Sequence, residues 1–296
     1  MPNMKTERIR GESMFVIIGV VVLLGSIIVG FTIAGGKLMV LFQLSEFIVI
    51  GGAALGAMLI GNPPSVIGEI FRHIVALLKG NTYTKKTYNE LLKMLYDLFM
   101  LARREGLVAL EHHAERPEES EFFKRYPSFA NNPHAMEFLS DTLKVIITGT
   151  VQPYDLAEMM DVDLDTHHEA AEKIPTILSK TGDAMPGYGI VACVLGVVIT
   201  MGAIGGNPEE IGHHVAAALV GTFLGVLMAY GVFQPLSQAI ETMMNAESQY
   251  MCCIRSALLA FARGDAPLTA VEFARRNIEP SVRCTFAELE ANLKGG

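Results

Sequence analysis

The side chains best suited to chemistry in this chain are histidines. Six of the eight stand in adjacent pairs, His112–His113, His167–His168 and His213–His214. Neighbours on a helix point about 100° apart, so such pairs chelate a metal poorly and read as solvated faces. The stretch "GFTIAGGKL" has glycines and a lysine, as phosphate loops do. Its glycine spacing is wrong, and Leu38 stands where a Ser or Thr would hold magnesium, so it reads as a hairpin. The four cysteines, Cys193, Cys252, Cys253 and Cys284, form no CxxC pair and read as free thiols. No Ser–His–Asp or Cys–His arrangement can be placed. The chain is expected not to be an enzyme and to need no cofactor or metal.

A different kind of chemistry is suggested by "TGDAMPGYGIVACVLGVVITMG". Asp183 and then Pro186 stand at its mouth, and an uncharged apolar run follows. Proteins that move ions through a membrane usually keep an ionisable residue at mid-membrane. Of the apolar segments here, only one holds an acid, Glu46, and its position in the segment places it near an end. If this chain conducts ions, another polypeptide must supply the carrier carboxylate.

The segments that position these residues are set by composition. Of 296 residues, 51% are hydrophobic, and they concentrate in two blocks. Four spans follow, at residues 14–33, 38–60, 186–202 and 215–236. Lys and Arg number 23, and with four spans 22 of them fall on one side, leaving Lys37 alone in the first hairpin. The positive-inside rule makes that side the cytoplasm and puts both termini there. The basic start "MPNMKTERIRGES" resembles a signal-peptide n-region. No cleavage pattern follows, so the first run is read as a retained span.

The expected fold is all-α: a polytopic membrane protein with four transmembrane helices in a 2+2 arrangement. The expected divisions are a cytoplasmic N-terminus (1–13), a first hairpin (14–61), a helical cytoplasmic domain (62–182), a second hairpin (183–236) and a cytoplasmic helix and tail (237–296). In "TYTKKTYNELLKMLYDLFMLARREG", Leu91, Met94, Leu95, Leu98 and Leu101 recur at helical spacing, and Gly106 is the stop.

Two further patterns bear on partners. Ala217, Gly221, Gly225 and Ala229 form a small-residue stripe in the fourth span, and Gly52 with Gly56 forms one in the second. Such stripes serve close helix packing inside one chain, a pore, or a socket for a partner helix. Around Gly106, Arg103 and Arg104 alternate with acids up to Glu111. That pattern is either a solvated surface or a patch that engages a charged partner.

Taken together, "TYTKKTYNELLKMLYDL", "ARREGLVALE", "RPEESEFFKRYP", "GDAMPGYGIVACVLGVV", "VGTFLGVLMAYGVFQPL" and "TAVEFARR" resemble the A-subunit family of the bacterial flagellar motor stator, MotA. The resemblance covers nearly the whole chain. Four spans rather than three set it apart from the related transducers of outer-membrane import. It implies that Arg103 and Glu111, with Arg104 beside them, face the rotor's switch protein FliG. It implies that Pro186 and Pro235 are the functional prolines of spans three and four, that Asp183 is the acid before span three, and that Thr222 stands near the ion path. It also implies a B subunit, MotB, whose single span carries the ion-binding aspartate. Five A subunits would surround two B subunits in the inner membrane, in contact with lipid and without nucleic acid. The small-residue stripes would then be contacts between subunits.

Sodium-driven relatives carry a threonine where this chain has Cys193. Loss of an oxygen ligand disfavours Na⁺, so H⁺ is the expected coupling ion. A sodium-driven stator, a secondary transporter and a non-conducting membrane scaffold are the alternatives.

Overall fold

The computed structural model describes residues 4–79, 83–202, 204–205 and 207–294, with side chains described except at 4–16, 78–79 and 210. The basic residues Lys5, Arg8 and Arg10, and two positions of the expected external loop, 203 and 206, therefore lie outside the described side chains. Among the described residues there is no strand. The α-helices are α1 (Met4–Ile33), α2 (Leu38–Leu41), α3 (Leu44–Gly61), α4 (Pro64–Lys79), α5 (Lys85–Glu105), α6 (Glu111–Glu115), α7 (Pro127–Ala130), α8 (Pro133–Thr148), α9 (Pro153–Gly202), α10 (Pro208–Met228), α11 (Gln234–Ala262), α12 (Pro267–Arg276) and α13 (Phe286–Lys294).

The chain divides into two compact units. The first contains Met1–Asn81 and Glu172–Met243; the second contains Thr82–Ala171 and Met244–Gly296. Residues 62–81 and 172–182, expected in the cytoplasmic domain, fall in the first unit. The reason in α4 is its amphipathic pattern. It buries Ile70 and packs on α1, while Phe71 and Val75 stay exposed.

The two units bury their apolar residues differently. In the second, large side chains are hidden. Leu91, Met94, Leu95 and Leu98 of α5 are all buried, whereas Leu101 is only half-buried. They join Phe123, Phe129, Leu139 and Ile254 in one core. Phe99 stacks on Phe261 with ring centroids 4.4 Å apart. Helix ends here are closed by side chains: Thr84 Oγ1 accepts from the Thr87 amide, and Asn132 Oδ1 from the Ala135 amide.

In the first unit the buried set is small, with Ile50, Ala54, Met185, Ala192, Leu224 and Ala229 at its centre. Large apolar side chains point outward instead, among them Ile48, Ile60, Val198 and Leu219. That inversion suits lipid, where association rests on close packing rather than on hiding apolar surface. The segments Leu38–Gly61, Pro153–Gly202 and Ile211–Ala262 are long and apolar enough to cross a membrane, and Ile17–Ile33 is a shorter apolar helix.

Candidate functional site

The first unit is built around a close pairing of α9 with α10, and glycine makes it possible. A methyl at Gly189 would lie 2.7 Å from the Gly221 carbonyl oxygen and 3.2 Å from the Gly225 Cα. One at Gly225 would meet the Met185 carbonyl oxygen at 2.7 Å, and one at Gly196 the Ala218 methyl at 2.7 Å. The stripe residues Gly221 and Gly225 thus pack inside this chain. Their counterpart on α9 is the row Gly189, Ala192 and Gly196, whose spacing of three and four was legible in the sequence. Ala229 is fully buried, and Ala217 is half-buried.

The stripe on α3 behaves differently. A methyl at Gly52 or Gly56 would meet nothing within 4 Å. Further along α3, Ala54, Ala57 and Gly61 line a cleft of about 300 Å³ with Lys180, Thr181, Ala184 and Tyr188 of α9.

Thr222 and Cys193 both sit half-buried beside the glycine contact. The Thr222 Cα would be 3.3 Å from a methyl at Gly189, and the Cys193 amide nitrogen 3.3 Å from one at Gly221. Glu46 stands in the first turn of α3, near the end of its segment, and is buried there. It is only 7% exposed, and its Oε2 would lie 2.5 Å from a methyl at Gly221.

At the other end of the pair, two prolines disturb the helices. Pro186 lies inside α9, half-buried, and cannot donate to the Gly182 carbonyl one turn back. Gly182 is itself pressed against Phe233, whose Cβ would be 2.9 Å from an added methyl. Pro235, which is exposed, follows a π-helical turn at Ala229–Phe233. Such a wide turn absorbs the geometry that a proline denies to a regular helix, and it marks functional sites in helices.

Between the prolines lies a residue the sequence reading passed over, Gln234. Its Nε2 donates to Asp183 Oδ1 at 2.7 Å and to the Ser179 carbonyl at 3.5 Å. Ser237 Oγ donates to the Pro175 carbonyl at 2.7 Å, in a buried position. These bonds tie the segment after the π-helical turn to α9 over the stretch from Pro175 to Asp183, which ends about one turn before Pro186. A lone glutamine before a proline carries no pattern that singles it out.

In the second unit, α5 ends in Arg103 and Arg104 and stops at Gly106, whose φ of 85° suits glycine. A short 3₁₀ turn, Leu107–Leu110, leads into α6, and buried Leu110 and Ala114 anchor it. Arg103, Arg104 and Glu111 are all exposed, and no hydrogen bond or ion pair ties them among the described residues. The arginines sit at a helix C-terminus and Glu111 at an N-terminus, where the helix dipoles favour those signs. Val108, between them, is 73% exposed. The result is an edge with an apolar tip and free charges on both sides.

The His112–His113 pair splits, whereas His167 and His168 are both half-buried and line one small cavity. His113 turns inward to Ser120 Oγ at 2.8 Å, and burial pushes its pKa down, while His112 stays exposed. Among the described residues no group of three His, Cys, Asp or Glu side chains is placed to hold a metal ion.

Two family models match this chain: Motility protein A N-terminal over residues 17–106, and the MotA/TolQ/ExbB proton channel family over residues 130–252. Motility protein A of Salmonella typhimurium is 36% identical over 281 residues, which cover 95% of each chain. The chain belongs to the motility protein A family. Solved structures carry the same fold. Campylobacter jejuni MotAB matches with a TM-score of 0.74 at 20% identity, over 90% of this chain and 96% of that one. The flagellar MotAB stator complex from Bacillus subtilis matches at 0.70 and 22% identity, over 86% and 92%. The matched family segments contain Arg103, Arg104, Asp183, Pro186, Cys193, Thr222 and Pro235. Glu111 falls between them, so it rests on the geometry of the charged edge. Neither family description is that of a catalyst. Membership makes this chain a flagellar stator component of the motility protein A type.

Proposed function

We propose that this chain is the A subunit of a proton-driven flagellar stator, with four spans and both termini in the cytoplasm of a bacterial inner membrane. The observation that carries the reading is the α9–α10 pair. It is packed backbone to backbone, it is free of Asp, Glu, Lys, Arg and His over residues 184–208 and 215–240, and it ends in the Pro186, Gln234 and Pro235 junction. A wall of this kind guides an ion that is carried by another chain. A B subunit with a membrane-embedded aspartate supplies that carrier, and five copies of this chain surround two copies of it. The open face of α3 at Gly52 and Gly56 is available for contacts between subunits.

In this reading, Asp183 is the acid at the cytoplasmic exit, and Thr222 and Cys193 border the path. Cys193 offers no hard oxygen for a dehydrated Na⁺, which favours H⁺. Protonation of the partner's carboxylate changes its contacts along the wall. The proline-interrupted helices respond by switching between two packings. Arg103, Arg104 and Glu111 then push on complementary charges of the rotor protein FliG.

The charged edge gives a direct test. Arg103→Glu combined with Glu111→Lys should lower swimming speed several-fold, while membrane abundance and association with the B subunit stay at wild-type levels. The two residues are exposed and bear no internal contacts, so their reversal costs the fold little. Loss of the chain from the membrane would make them structural residues instead.

A further inference from the structure

Glu46 occupies an unusual position for a carboxyl group. It lies in the first turn of α3 and is more than nine-tenths buried, and its Oε2 has no hydrogen-bond partner. The space it fills exists because residue 221 is glycine: a methyl there would stand 2.5 Å from Oε2. The same niche is bounded by the Ala192 methyl and the Cys193 amide nitrogen of α9. Gly221 is 13 residues into α10, so the niche lies about 20 Å along that helix from its start at Pro208.

An ionised carboxylate in such a place needs a countercharge. Among the described residues none is supplied by α9, α10 or its own segment. On α10 there is no titratable side chain between His214 and Tyr230, and on α9 Cys193 is the titratable group that borders the niche. On its own segment the nearest cation in sequence is Lys37, across the break at Phe42 and Gln43. A carboxyl that carries a proton meets these conditions.

We propose that Glu46 is a proton-binding site contributed by the A chain itself, filled and emptied beside the path during each ion passage. The inference rests on the stator reading above and corrects one part of it: the A chain brings a carboxyl group of its own to the membrane interior. A ring of such subunits would hold one site per copy.

The test uses the complete stator complex in native membranes and dicyclohexylcarbodiimide as the probe. That apolar reagent adds the carboxylic O–H across its N=C bond, and the adduct rearranges to a stable N-acylurea with no leaving group. Mass spectrometry should find the adduct on Glu46 of the wild-type chain at about pH 6, with labelling that falls towards about pH 9. The full complex carrying Glu46→Gln should lose that adduct and conduct protons about tenfold more slowly at unchanged abundance. Absence of the adduct in the wild type at every pH overturns the proposal, and this readout needs no variant to fold. Wild-type conductance by Glu46→Gln overturns it as well, since a merely structural carboxyl would leave flux intact. A wild-type complex that conducts no protons would instead overturn the stator reading.

Discussion

Replacing Gly225 with leucine is expected to abolish motility and to strip the chain from the membrane fraction. Even a single methyl at that position meets the Met185 carbonyl oxygen at 2.7 Å and the Gly189 Cα at 3.0 Å. Both obstacles are backbone, so no side chain can rotate away. Overpacking of this kind costs about 1–3 kcal/mol in ordinary cores, and here it must separate two helices whose only adhesion is close contact. Gly225→Ala should give a milder loss. Gly52→Leu is the control, since a methyl at that position meets nothing within 4 Å in the single chain. It should leave the chain in the membrane and disturb only contacts with other subunits. The readouts are immunoblots of membrane fractions and swimming in soft agar. Full accumulation and swimming with Gly225→Leu would contradict the packing of α9 on α10.

The second large effect concerns the junction at the prolines. Gln234→Glu puts a second carboxylate where an amide now donates to Asp183 at 2.7 Å. Two carboxylates at that separation repel and cannot share a hydrogen bond unless one is protonated. Swimming should fall to a small fraction of wild type, with membrane abundance unchanged because the site lies near the surface. The double variant Gln234→Glu with Asp183→Asn restores one amide and one carboxylate in swapped positions. If the clamp itself is what matters, swimming recovers to a substantial part of wild type. A double variant as immobile as the single one would show that the charge of Asp183 is needed at that place for its own sake.

Much of the architecture could be read before any coordinates. The apolar face of α5 follows from Leu91, Leu95 and Leu98, because helical periodicity is a local property and burial follows it. The same holds for Gly221 and Gly225: a small residue every four positions creates a groove, and something must fill it. What fills it is a tertiary fact. The partner row Gly189, Ala192 and Gly196 was visible as residues but not as a partner. The Gly52–Gly56 stripe shows the converse, since an equally good pattern is left open within this chain.

Glu46 stands near the end of its segment, as its place in the sequence indicates, but its burial was not legible there, because position along a segment does not show what packs on it. After the break at Phe42 and Gln43 a new helix starts at Leu44, and its first turn lies against Gly221, well inside α10. Gln234 and the π-helical turn escaped for a different reason. A single polar residue and one extra residue per turn leave no periodic trace. The placement of α4 with α1 depended on which apolar surface its amphipathic face would meet, and periodicity alone does not choose between surfaces.

The stator proposed above is driven by proton flow past this chain. The most direct measurement is swimming speed in cells whose only stator is this chain with its B subunit, while the proton and sodium gradients are collapsed in turn. A proton-driven stator stops when a protonophore removes the proton gradient at constant sodium, and it keeps its speed when external sodium is replaced by potassium. Speed that follows sodium and ignores the proton gradient would contradict the assignment built on Cys193 and Glu46.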